Sequence, residues 1–498
     1  MNRNTLKSAM IVLIMSAMQF SCIISAKAQQ LHHVSGDTLN ITKEIGTMFL
    51  PTGKIRGVCS SQIKMMTRQG YQTDGLQKRL DALPDSYDAL LGFAYELTQM
   101  PLRKDLKYVE PFDLKAIQAA CPKDNVPVLG RYQSDVEIKD RIYGGIFGQL
   151  IGLTLGQPFE MSWDLVKIKT YLEGVDAWPL NDFVPSYSPT QPDLLRRDCI
   201  ESMKGFVHLA KEDDDLNYLV ANTKILEEYG FGFKTEDVAR FWYSNLVPGW
   251  TWGPENSRFM LLTGIFFGNN LNNYPSAHEQ EKFVNFLNDG QEYIGAMIRG
   301  EVFGFVCPGN TRLAAELAWR DGCLTHAKTG LYAEMWLAAT ISAAFMTNDP
   351  VACIKAGLAQ IPENSRYAEC IREALKISLE EKEWLEAYKR INERWGHLGH
   401  AGTLNETAAI INGLVHSTDK YGNVDYTKAV TITIMHGWDA DCSGAMAGAI
   451  AGVLTGYNNI PERWHKPLNN TYYSCIATER ESRISALADR IYTLTKRK

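Results

Sequence analysis

The segment GWDADCSGAMAGAIAGVLTG, residues 437–456, places Asp439 and Asp441 just ahead of a run of small residues. Within that run Gly444, Gly448, Gly452 and Gly456 recur every fourth position, as do Gly144, Gly148, Gly152 and Gly156 far upstream. A glycine inside a helix costs about 1 kcal/mol against alanine, so four in register need a packing reason. The spacing leaves one helix face without side chains, where another backbone can approach closely. A membrane dimer face is the competing reading. It fails because segments this short, bounded by Asp140-Arg141 and by Asp441, cannot span a bilayer. Two tightly packed core helices are therefore expected, holding the Asp439 segment and the loop after Gly156 on a rigid layer.

A second acidic stretch, Asp213-Asp214-Asp215, precedes an apolar helix from Leu216 to Leu226. An N-cap with a solvated acidic turn would explain either stretch alone. Together they bring five carboxylates, whose mutual repulsion a helix dipole compensates poorly. A divalent, oxygen-seeking ion such as Mg²⁺ or Mn²⁺ compensates it well. Glu160 follows Gly156-Gln157-Pro158-Phe159, where Pro158 stops the helix. A carboxylate at a helix C-terminus gains nothing from the dipole, so it is a candidate general base as well as an ordinary loop residue.

Outside these segments the chain reads as helical. Leu76, Leu80 and Leu83, then Leu90, Ala94 and Leu97, recur at helical spacing around a break at Pro84-Asp85-Ser86. Similar periodicity runs from Tyr367 to Ile391 and through Ile484, Leu487, Ile491 and Leu494. Alternating runs long enough for a sheet are scarce. A change of character near Pro122 to Arg131 divides a helical N-terminal extension, 29–130, from a domain over 131–465, with a helical tail over 466–498.

Residues 1–28 read as a signal peptide: Arg3 and Lys7, a short apolar run from Ala9 to Met18, and Ala26-Lys27-Ala28 before Gln29. Export to the periplasm or the medium is expected, ahead of lipid anchoring at Cys22, which Gln19-Phe20-Ser21 approaches poorly. No transmembrane segment is expected. Loss of Arg3, Lys7 and Lys27 leaves 48 basic against 57 acidic residues, a net charge of −9. With no basic stripe, nucleic-acid binding has no electrostatic footing. Nine cysteines remain from Cys59 to Cys475, an odd number, without the close paired spacing of a zinc site.

From Asp140 to Trp464 the chain resembles the ADP-ribosylglycohydrolase family, which includes the dinitrogenase reductase-activating glycohydrolases. Asp140-Arg141-Ile142-Tyr143-Gly144-Gly145-Ile146-Phe147-Gly148, running on to Glu160, is similar to the family's opening helix and acidic loop. Asp213-Asp214-Asp215 stands where the family has Thr-Asp-Asp. Ile294 to Gly300 resembles its glycine-rich substrate loop, and Leu324-Thr325-His326 with Gly330-Leu331-Tyr332 its Thr-His segment. Residues 437–456, followed by Ile460-Pro461 and Trp464, resemble Gly-Gly-Asp-Thr-Asp-Thr and its small-residue helix. Three departures are visible: Thr154-Leu155 where an aspartate is usual, Asp213 for a threonine, and Cys442 for another threonine.

The resemblance implies an all-α orthogonal helical bundle with a dinuclear Mg²⁺ (sometimes Mn²⁺) centre at the mouth of a cleft. Asp213, Asp214, Asp215, Asp439, Asp441 and Cys442 take the metal-ligand places. Glu160 and Asp214 take the catalytic ones, and Gly295, Met297, Arg299, His326 and Tyr332 those that meet substrate. The implied reaction is hydrolysis of a ribosyl linkage on a small-molecule or protein-linked substrate. The rivals are hydrolysis of another N- or O-glycoside on the same scaffold and ligand binding without turnover.

Overall fold

The computed structural model describes residues 51–123, 130, 134–161, 163–191, 195, 197–265, 274–276 and 279–497. The expected signal peptide over 1–28, Cys22 included, lies outside the described residues. Among the described residues the protein is all-α, and the one sheet found there pairs Thr471–Tyr473 with Glu481–Arg483.

The N-terminal segment forms α1 (Thr52–Arg68), α2 (Leu76–Ala82), α3 (Tyr87–Leu97) and α4 (Leu114–Ala120). Pro84-Asp85-Ser86 breaks the chain as expected, and Ser86 restarts it by accepting a hydrogen bond from the Ala89 amide. This segment docks through its connecting chain. Arg366 binds Glu110 at 2.7 Å and Glu292 at 2.5 Å, and the indole of Trp319 donates to the Phe112 carbonyl at 2.9 Å.

α5 (Asp135–Gly156) opens with a capping box between Ser134 and Glu137. After it come α6 (Leu165–Glu173), α7 (Asp214–Tyr229), α8 (Thr235–Asn245), α9 (Gly253–Ile265) and α10 (Gln280–Asn285). The middle of the chain gives α11 (Glu301–Phe305), α12 (Thr311–Gly322), α13 (Lys328–Ala344) and α14 (Pro350–Leu358). Next are α15 (Arg366–Glu380), α16 (Trp384–Trp395), α17 (Thr403–His416), α18 (Tyr426–Ile434), α19 (Ala440–Thr455), α20 (Glu462–His465) and α21 (Ile484–Leu494). The periodicity from Tyr367 to Ile391 is thus two helices, because the backbone turns extended at Glu381. Every residue of α13 is buried, which makes it the axis of the core.

α5 and α19 pack antiparallel through the two glycine ladders. A Cβ on Gly144, Gly148 or Gly152 would lie 2.2, 2.3 or 2.0 Å from the carbonyl oxygen of Gly452, Gly448 or Gly444. Gly156 meets the Ala440 carbonyl in the same way, at 2.3 Å. No side chain fits in that seam, which is why the sequence accepts the helix-propensity cost. Gly456 departs from the ladder: it ends α19 at φ 77°, beside the Asp140 carboxylate.

The C-terminal segment holds α5 and α7 together. Tyr143 donates its hydroxyl to Asp489 at 2.8 Å, and Arg490 pairs with Glu227 at 2.7 Å. No helix among the described residues is long and apolar enough to cross a membrane. The nine described cysteines are all free thiols.

Candidate metal centre

Antiparallel packing puts the C-terminal end of α5 beside the N-terminal end of α19, so Glu160 and Asp439 are brought together by the ladder itself. α5 ends in a tight 3₁₀ turn, Gln157–Phe159, with Pro158 inside it. Backbone bonds then fasten the two loops. Met161 N–H donates to the Trp438 carbonyl at 3.1 Å, and Trp438 N–H to the Trp163 carbonyl at 2.9 Å. Gly437 sits at φ 81°, where a Cβ would lie 2.5 Å from the Trp163 carbonyl oxygen. Only glycine fits there.

The second acidic stretch reaches the same place from α7. Asp213 is the N-cap, accepting from the Asp215 amide at 3.3 Å and from the Gln157 side-chain amide at 2.9 Å. Gln157 is held in turn by the Ser202 hydroxyl. The direct join is Cys442, whose thiol donates to Asp215 at 3.1 Å. Both acidic segments therefore share one buried site, with Asp439 and Asp441 at 4 % and 2 % exposure and Asp215 at 0 %.

Three sets of donor atoms each lie within 4.8 Å of one another: Asp213, Asp214 and Asp215; Asp439, Asp441 and Cys442; and Glu160, His400 and Asp439. Burial, then the charges of Asp213, Asp441 and Asp439, hold Asp214 well above the carboxylate range. Burial, then Asp213 and Asp214, do the same to Asp215, and its buried Oδ1 has no hydrogen-bond partner. Desolvated, crowded carboxylates with an unsatisfied oxygen are a donor set that a hard divalent cation fits. The thiol of Cys442 is pushed up by burial and by Asp215, Asp439 and Asp441. It stands in the ligand cluster as an S–H donor to Asp215, a weaker match to a hard ion than the oxygens around it.

Two residues of this site carry no motif. Glu406, fully buried on α17, accepts the Asp439 amide at 3.0 Å and so fixes the first residue of the α19 cap. Burial, then Asp439, raise its carboxyl well above the usual range. His400 lies on the turn before α17, with Nδ1 3.9 Å from Asp439 Oδ2. No short-range spacing marks it, because its neighbours in space, Glu160 and Asp439, are remote in sequence.

Several residues expected to meet substrate have other partners. Ile294–Arg299 is a 3₁₀ turn rather than an open loop. Arg299, at 0 % exposure, binds Asp321 at 2.5 Å and Glu255 at 2.7 Å and lies 5.1 Å above the Trp242 ring. Its guanidinium is consumed by these contacts. His326 is equally buried, with Nδ1 2.7 Å from the Thr325 hydroxyl, and burial and then Arg299 hold it well below the usual imidazole range. Tyr332 donates to the Pro111 carbonyl at 2.5 Å, and the Met297 sulfur accepts from Thr407 at 3.8 Å. Charge attraction and core packing have turned these side chains inward. Gly295 alone of the set is only half-buried, and a Cβ there would lie 2.5 Å from the Glu255 carboxylate.

A search of curated proteins gives no match. Among solved structures, an ADP-ribosylglycohydrolase-related protein complex is similar over 72 % of this chain and 99 % of its own, at 18 % identity and a TM-score of 0.42. The family model described as ADP-ribosylglycohydrolase matches residues 134–498, which contain both acidic segments and both glycine ladders. The chain belongs to the ADP-ribosylglycohydrolase family.

Proposed function

We propose that this protein is an exported, divalent-metal-dependent glycohydrolase that cleaves a ribosyl linkage of the ADP-ribosyl type. The observation that carries this reading is the meeting of Asp213–Asp215 with Asp439 and Asp441 across the Cys442–Asp215 contact, beside Glu160. Asp213, Asp214, Asp215, Asp439 and Asp441 would hold a dinuclear centre of Mg²⁺ or Mn²⁺. When bound, such ions supply positive charge to polarise the substrate's ribose hydroxyls and to ease deprotonation of water.

The chain's own residues supply the rest. Glu160, half-buried and fastened to the Asp439 segment through Met161 and Trp438, accepts the proton of the attacking water as the new C–O bond forms at the anomeric carbon. The glycosidic bond breaks with its electron pair going to the leaving group, which takes up the proton that Glu160 accepted, so that Glu160 returns to its carboxylate. Asp214, the least buried of its triplet, would stabilise the positive charge that develops on the sugar. Gly295, whose missing side chain makes room for the Glu255 carboxylate, would bring the Ile294–Arg299 turn to the substrate, while Arg299 and His326 shape that turn from behind.

The test is hydrolysis of a panel of ADP-ribosylated compounds and other N- and O-glycosides, with and without EDTA. EDTA-sensitive release of ADP-ribose supports the reading. Release from other glycosides alone moves the substrate elsewhere on the same scaffold, and no hydrolysis of any substrate leaves a binding protein. Export is tested separately: the mature chain should begin near Gln29, and N-terminal sequencing that finds 1–28 retained contradicts it.

A further inference from the structure

We infer that His400 is a nitrogen ligand of this centre, and that it makes the centre prefer Mn²⁺, or another nitrogen-accepting divalent ion, over Mg²⁺. This rests on the reading above, that the acidic segments hold metal.

Three side chains from three separate parts of the chain converge here: His400 before α17 and Asp439 before α19, with Glu160 after α5 beside them. The His400 Nδ1 atom is buried and has no hydrogen-bond partner, although the side chain as a whole is 32 % exposed. Its separation from Asp439 Oδ2, 3.9 Å, is too long for a hydrogen bond. It falls within the span that one ion can bridge, about 4.2 Å at most for two atoms each bound at about 2.1 Å.

The turn that carries His400 is built to hold it. Gly399 and Ala401 are both in the left-handed region, at φ 68° and 60°. An alanine adopts that conformation only where its surroundings impose it. They do: the Ile294 amide donates to the Ala401 carbonyl at 3.2 Å, and Asn405 donates its side-chain amide to the Gly399 carbonyl at 2.9 Å. Asn405 also donates to Glu406, which caps the Asp439 amide, so the ligand turn and the α19 cap are one hydrogen-bonded unit.

The chemistry follows from ligand type. Carboxylate oxygens accept Mg²⁺ and Mn²⁺ alike, whereas an imidazole nitrogen favours the transition ions. Removing one nitrogen from an otherwise all-oxygen set should therefore change selectivity more than total binding.

The experiment is pulsed electron paramagnetic resonance on the full chain loaded with Mn²⁺, together with Mn²⁺ and Mg²⁺ titrations. The expected result is echo modulation from a directly bound nitrogen that changes when the protein is labelled with nitrogen-15 histidine. In His400→Gln that modulation should vanish, and the preference for Mn²⁺ over Mg²⁺ should be lost. Isotope labelling needs no variant, so the assignment does not depend on how the substitution folds. Mn²⁺ bound without nitrogen modulation, or an unchanged ion preference in a folded His400→Gln, overturns the assignment of His400 alone. Failure of the intact chain to bind either ion overturns the metal centre and this inference with it.

Discussion

At Glu160 and Asp439 two carboxylates separated by most of the family domain stand in one cluster with different surroundings. Glu160 is half-buried on a loop, while Asp439 is 4 % exposed with its amide held by Glu406. The first suits proton handling and the second ligation. Glu160→Gln should keep the fold and the metal but lower turnover by about 10² to 10⁴-fold, the usual contribution of a general base. Asp439→Asn should weaken metal affinity, with activity partly restored at high metal. An unmodified rate in Glu160→Gln would remove Glu160 from the mechanism. At this scale the sequence showed the acidic residues but not His400 or Glu406. A histidine between Gly399 and Ala401 and a glutamate in the first turn of a helix carry no local signal; both acquire their setting only when α17 packs against the α19 cap.

Among the elements, the α5–α19 seam was the most legible, because eight glycines at fourfold spacing have few other uses. Gly152→Ala tests its energetic weight. On helix propensity alone it should stabilise by about 1 kcal/mol. Its Cβ would lie 2.0 Å from the Gly444 carbonyl oxygen, which is backbone and cannot rotate away. Overpacking of this kind costs about 1 to 3 kcal/mol, so the net sign should be destabilising. Denaturant unfolding reads that sign, and a stabilised variant would contradict the seam. The inward turn of Arg299, His326 and Tyr332 was not legible, since their sequence context gives no hint that Asp321, Thr325 and Pro111 would claim them.

The docking of the N-terminal segment depends on Arg366 between Glu110 and Glu292. Burial alone would raise the Glu292 carboxyl, but the charge and hydrogen bonds of Arg366 outweigh it and hold Glu292 below its ordinary 4.5. A lowered folded-state value means that this carboxylate adds stability above about pH 4.5 and loses it as pH falls through the lowered value. Arg366→Ala strands two carboxylates whose side chains are 3 % and 13 % exposed, and breaking a fully buried pair costs about 3 to 5 kcal/mol, an upper bound here. Its acid unfolding should lack the Glu292 contribution, so stability should fall less steeply below pH 4.5 than in the parent. Equal stability of parent and variant at pH 7 would show that the pair does not anchor the segment.

Across the whole molecule, the all-α class and the convergence of distant acidic segments followed from residue pattern and family likeness together. The N-terminal segment did not. Its helices were legible from leucine spacing, but the surface it occupies depends on single contacts such as Trp319 with Phe112, which no periodicity encodes. Two remote acidic segments holding one divalent centre would unite the molecule. Titration calorimetry with Mn²⁺ and Mg²⁺ on the intact chain, Asp214→Ala, Asp439→Ala and the double variant tests it most directly. The expected result is binding by the intact chain, a loss in each single variant, and little further loss in the double, because both substitutions disable the same site. No binding by the intact chain, or losses that simply add, would contradict it.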